Sequence, residues 1–204
     1  MTASAQQADA TPMWDILSQE ITGIQLLWEA VECLYFKAQG QGLAVLARDM
    51  PLFHRLTQTA LMESLLMRMS RLMDPAATGQ GRRAMDNLSL KRLAEVRVDT
   101  DSDVHGVHAI WEASGLKRIR DKYLSHNDLA RSLNEPHTLN IPLDEADVAA
   151  MRELASGLRE FRRRVHGRLH AGVAYLDAPL ILQVQREIDV LDRALQGDFL
   201  GSQP

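Results

Sequence analysis

Cysteine is nearly absent from the sequence: among 204 residues, Cys33 stands alone inside an apolar run. An intrachain disulfide is therefore excluded, and a reducing cytoplasm is the expected compartment. No apolar run approaches the roughly 20 residues that a helix needs to cross a bilayer, so no membrane association is expected. The opening residues, MTASAQQADATP, have neither a basic stretch nor an apolar core and do not read as a signal peptide. An excess of positive charge is missing too. The net charge of −4 argues against wholesale nucleic-acid binding, so any such role needs a local basic patch. Alternation of strand type and repeats of 20–50 residues are also lacking.

Helical periodicity is what the chain does contain. At 46% hydrophobic and 25% charged residues, the composition suits one soluble domain with a sizeable core. Trp14, Leu17, Ile21, Ile24, Trp28, Val31 and Tyr35 step by threes and fours, as the apolar stripe of one long helix does. KAQGQG at 37–42 breaks that stripe. Pro51 suits the first turn of a second helix, with Leu52, Leu56, Met62, Leu66, Met69 and Met73 at core spacing. A short helix is expected near 87–97, capped by Asn87 or Ser89, and a longer one from about Val104 to Leu133. Asp144 is the expected N-cap of a helix reaching about Leu176. A last helix starts near Pro179, with Ile181, Val184, Ile188, Leu191 and Leu195 on one face. The fold expected is all-α, an antiparallel bundle of about five to six helices. Residues 1–12 are read as a flexible N-terminus, 13–197 as the helical domain and 198–204 as a tail.

The stretch RDKYLSHND at 120–128 carries the densest chemistry. Lys117, Arg118, Arg120 and Lys122 place four cations within six residues, just before a Ser-His-Asn-Asp run that contains His126 and Asn127. Such a field suits a phosphodiester, and the histidine beside it moves protons near neutral pH. The competing reading is a core histidine, because His126 falls on the stripe formed by Leu116, Ile119, Tyr123, Ala130 and Leu133. Arg120 and His126 would lie about 9 Å and about 120° apart on an unbroken helix. They would not readily hold one phosphate within one chain, whereas two copies meeting on a two-fold axis would form a composite cleft.

RDKYLSH resembles the arginine–polar residue–spacer–histidine signature of the HEPN superfamily, the nucleotide-binding all-α domains of higher eukaryotes and prokaryotes. SRLMDP at 70–75, DNLSLKRLAE at 86–95 and IRDKYLSHND, in that order, resemble its AbiU-like abortive-infection branch. The resemblance spans roughly residues 15–175 and implies a HEPN-like bundle that homodimerises, often as a metal-independent endoribonuclease. Carried over by position, Arg120 and His126 form the signature pair and Asp121 is the polar residue after the arginine. The implied reaction is attack of a ribose 2′-OH on its own 3′-phosphate. His126 serves as general acid or base, Arg120 holds the phosphate and Asp121 orients either one. Lys122, Arg118, Lys117 and Asn127 are expected on the substrate side. RNA and an antitoxin protein are the expected partners, and no cofactor or metal is expected. The superfamily also contains non-catalytic modules that bind nucleotide or RNA or dock a partner.

Four other stretches read mainly as structure. Arg159, Arg163, His166 and His170 share one helical face in RELASGLREFRRRVHGRLH, a candidate track for an RNA backbone. An exposed basic face explains the same run, and the only aromatics near it, Phe161 and Tyr175, give little base stacking. His105, His108 and Glu112 recur at helical spacing but complete no metal motif. Met62, Met67, Met69 and Met73 suit a core or a dimer interface. GQGRR at 79–83 lacks the lysine, spacing and preceding strand of a phosphate-binding loop.

Overall fold

The computed structural model describes residues 3–37, 41–79, 84–121, 143–170 and 178–196. Among these, eight α-helices make the fold: α1 Ala3–Val31, α2 Gln41–Asp49, α3 Pro51–Leu72, α4 Leu90–Val96, α5 Asp101–Ala113, α6 Leu116–Ile119, α7 Glu145–Leu169 and α8 Ala178–Leu195. A π-helical turn, Glu32–Phe36, extends α1, and a 3-10 turn, Val98–Thr100, leads into α5. The all-α expectation holds. The only strands among the described residues are the two-residue pair β1 Ala77–Thr78 and β2 Met85–Asp86, joined antiparallel. No helix among the described residues is long and apolar enough to cross a membrane.

The antiparallel packing follows from side-chain partners. Along α1 and its π-helical extension, Asp15, Ser18, Gln25 and Glu32 meet His170 at the end of α7 and then Arg162, Arg159 and Arg152 within it, in descending order. Glu20 meets Arg68 and Tyr35 meets His54, so α3 also runs against α1. Asp103 meets Arg164 of α7 while Ile110 lies against Gly157, which sets α5 antiparallel to α7.

The α1 stripe is buried from Trp14 to Val31, and Trp14 meets Phe161 of α7 edge-on at 6.0 Å. Leu65, Leu66 and Met69 of α3, Leu90 and Leu93 of α4, and Leu158 of α7 close the core around it. Caps mark the helix starts. Pro51 occupies the first turn of α3, the Ser89 side chain accepts from the Arg92 N–H, and Asp144 and Asp147 form a reciprocal capping box on α7.

Four expectations need correction. Helix α1 begins at Ala3, not near 13: the alanines before Pro12 favour helix, and Ala10 is already buried. A separate helix, α2, follows the expected break, and the amide of its Leu43 donates to the Asp192 carboxylate of α8 at 2.9 Å. Leu52 and Leu56 have core spacing but are 62% and 47% exposed, because they lie on a side of the first turns of α3 that the described elements leave uncovered. Leu191 on α8 is likewise exposed.

The fourth correction concerns the helix expected from 104 to 133, which divides after Ala113. Gly115 takes a left-handed φ of 69°, a conformation that costs a side chain but not glycine. The Ser114 hydroxyl donates to the Trp111 carbonyl and accepts from the Leu116 amide, replacing helical bonds at the break. Leu116 and Ile119 are then fully buried, which pins the short α6 and fixes where Arg120 emerges.

A buried polar knot joins α1 to α8. Cys33 and Lys37 both donate to Glu29 Oε1, at 3.3 and 2.8 Å, as does Gln185 at 2.7 Å. Burial and the neighbouring carboxylate push the Cys33 thiol up to about 11, so it stays protonated and is a poor nucleophile. Burial raises the Glu29 carboxyl, but the hydrogen bonds from Lys37, Gln185 and Cys33 outweigh it, and its pKa is lowered from the ordinary 4.5. That stabilisation is complete above the ordinary value and disappears as pH falls through the folded one. Burial also lowers the pKa of His108 and His166 below the ordinary 6.5, so protonating either favours the unfolded chain. Denaturant titrations across pH are therefore expected to show stability falling below pH 6.5 and falling again below 4.5. The second loss is expected to shrink in Glu29→Gln but to persist in part, because Arg97 also holds the Asp99 carboxyl below its ordinary value.

Candidate functional site

Arg120 follows directly on α6, and its guanidinium is gripped from two elements. Nε donates to Asp121 Oδ1 at 2.7 Å, and Nη2 lies 2.5 Å from the same oxygen. Nη1 donates to the Ser70 hydroxyl oxygen at 2.7 Å and lies 3.8 Å from Asp74 Oδ1. Ser70 is buried on the last turn of α3, and Asp74 stands just past the end of that helix. The Arg120 side chain is 22% exposed.

Asp74 also lines a cleft of about 280 Å³ together with Glu20, Arg68 and Arg71, a cleft that Arg120 itself does not line. Arg68 is paired with Glu20 at 3.1 Å. Arg71 has no carboxylate partner within ion-pair distance among the described residues.

The expected site residues fall into separate places. Arg120 and Asp121 come together. Arg118 turns the other way, with Nη2 3.8 Å from Asp147 Oδ1 at the start of α7. Two residues along a helix is about 200° of rotation, so the side chains of 118 and 120 leave α6 on opposite sides. Lys117 is exposed and without a carboxylate partner among the described residues. Lys122, His126 and Asn127 lie outside the described residues.

The basic face of α7 is largely engaged with its neighbours. Arg159 donates to Gln25 at 3.1 Å, and Arg163 forms a bidentate pair with Glu160 at 2.8 and 2.7 Å. Arg164 and Arg168 both meet Asp103 of α5, and the buried Arg162 donates to Ser18. The rings of His166 and His170 lie 4.7 Å apart, tilted by 36° to one another, and His170 Nε2 is 3.6 Å from Asp15. His108 is buried between α4 and α5 while His105 is exposed. No group of three or more histidine, cysteine or carboxylate side chains among the described residues is placed to hold a metal ion.

Ser70, Asp74 and Arg71 are the residues that sequence reading missed as site members. Their signal was present in SRLMDP, where a serine and an aspartate four apart share one helical face. What was missing was the contact with Arg120, which joins positions 50 residues apart.

A family model described as AbiU2, of HEPN type, matches residues 13–186. No curated protein and no solved structure matches the chain.

Proposed function

The chain belongs to the HEPN AbiU2 family, and from that membership and the held Arg120 guanidinium we propose a metal-independent endoribonuclease that acts as a homodimer in a toxin or antiphage-defence role. One observation carries the reading: an arginine from the family-type signature is held by a buried serine and an aspartate, in a side chain that is still 22% exposed. A guanidinium held in this way is suited to a phosphate that gains charge in the transition state.

In the proposed reaction the ribose 2′-oxygen forms a bond to the adjacent phosphorus and the bond to the 5′-oxygen breaks. His126 accepts the 2′-hydroxyl proton or delivers one to the departing 5′-oxygen. Arg120 balances the charge on the non-bridging oxygens. Asp121 fixes the Nε edge of that guanidinium, while Lys117 and Lys122 add longer-range attraction for the RNA strand. The exposed apolar start of α3, with Leu52, Phe53 and Leu56, supplies surface suited to association of two copies.

Because the nucleophile belongs to the RNA, cleavage is expected to persist in EDTA. The products are expected to end in a 2′,3′-cyclic phosphate, and 2′-deoxy at the scissile position is expected to abolish cutting. Incubating the purified protein with total RNA and EDTA, beside a His126→Ala variant, tests the reading. Equal cutting of DNA, or activity lost to EDTA and restored by magnesium, overturns it.

A second reading is a non-catalytic module that binds nucleotide or RNA, or docks an antitoxin protein. It draws on Asp74 and Asp121, two carboxylates against the guanidinium that an entering phosphate must compete with. An RNA affinity that survives in a protein unable to cut would favour this reading.

A further inference from the structure

We infer that Ser70, with Asp74 one helical turn beyond it, is a positioning residue that fixes the Arg120 guanidinium for contact with the scissile phosphate; the inference rests on the ribonuclease reading of Arg120. Ser70 is 3% exposed and sits among Leu65, Leu66, Met69 and Leu72 on the buried side of α3. A hydroxyl there is costly unless it is hydrogen-bonded, and the Nη1 donor of Arg120 at 2.7 Å meets that need.

The grip has a defined geometry. Asp121 takes the edge formed by Nε and Nη2, and Ser70 takes one hydrogen of Nη1. Among the described residues, one N–H on Nη1 and one on Nη2 have no further acceptor, and these would face a phosphate. Asp74 Oδ1 lies 3.8 Å from Nη1, beyond hydrogen-bonding distance, and so holds the group by charge without taking a hydrogen. The plane of the guanidinium is therefore set by atoms from α3 and from the end of α6 together. An arginine free to rotate would have to be ordered at the moment of reaction, and preorganising it removes that cost from the barrier.

The experiment compares the parent with Ser70→Ala, Ser70→Thr and Asp74→Asn, each alone and on an Arg120→Ala background. Single-turnover cleavage, RNA affinity, melting temperature and the ¹⁵N–¹H signal of the Arg120 Nε–H are measured. Ser70→Ala is expected to slow cleavage at saturating RNA about 10-fold with affinity nearly unchanged, a loss in the chemical step of the kind preorganisation accounts for. Ser70→Thr keeps the hydroxyl and is expected to recover most of the rate, while Asp74→Asn, at a half-buried position, gives a smaller loss in a folded protein. Neither change is expected to slow cleavage further once Arg120 is alanine. The Arg120 Nε–H signal is expected to shift, with faster hydrogen exchange, in Ser70→Ala but not in Ser70→Thr. Equal rate losses with and without Arg120, or an Arg120 signal indifferent to Ser70, would overturn the positioning role. A parent that cuts no RNA would remove the ribonuclease reading alone, since the Arg120 signal still decides whether Ser70 positions it.

Discussion

His126→Ala is expected to lower RNA cleavage about 100-fold or more while RNA binding largely survives, because a positioned proton carrier contributes mainly to the chemical step. Arg120→Ala is expected to cost about 2–4 kcal/mol of transition-state stabilisation, by the measure of other donors to a developing oxyanion. Arg120→Lys is expected to recover little, since an ammonium cannot serve Ser70, Asp121 and a phosphate at once with a planar fork. Stability should change modestly in both alanine variants. A core-histidine role for His126 gives the reverse pattern, in which His126→Ala lowers the melting temperature and cuts RNA at the parent rate. Melting curves and cleavage assays on the same proteins separate the two.

Mixing the two inactive variants tests the composite cleft as well. If Arg120 of one copy works with His126 of the other, a mixed dimer of Arg120→Ala and His126→Ala chains contains one site with both groups. Subunit exchange is then expected to restore activity, whereas a site contained within one chain stays inactive in every mixture.

Periodicity made the central helix and the ends of several others legible. The run from Trp14 to Val31 could be read because its spacing matches the helical turn and its face is covered on several sides. Ser89 and Asp144 were legible as caps because their side chains satisfy amides that the helix itself leaves open. The division at Gly115 was harder, since a lone glycine inside a helical pattern is tolerated as often as it interrupts. Here the Ser114 hydroxyl decides the matter by bonding at the break. Spacing also says which face is apolar and not whether anything covers it, which is why Leu52 and Leu56 were misread.

The site was legible only in part for a related reason. RDKYLSH announces an arginine suited to phosphate, but cation density along the chain is not cation density in space. Arg118 and Arg120 are two positions apart and face Asp147 of α7 and Ser70 of α3. The motifs SRLMDP and IRDKYLSHND looked like separate family marks until the fold joined them through one guanidinium. That contact gives a physical reason for the serine and the aspartate in the first motif.

The contrast between the two ends of α3 yields the largest stability effect expected here. Leu66→Ala removes a fully buried side chain from the centre of the core and is expected to cost about 2–5 kcal/mol, the sum of lost burial and the cavity left behind. Leu56→Ala, on the same helix but 47% exposed, is expected to stay within about 0.5 kcal/mol as long as the chain is compared in one association state. Denaturant melts of both variants check the difference, and equal losses would show that the start of α3 is covered in solution. The same helix carries Ser70 four residues after Leu66, so a cavity there also loosens the support of the Arg120 grip. Leu66→Ala is accordingly expected to slow cleavage even at temperatures where the protein remains folded.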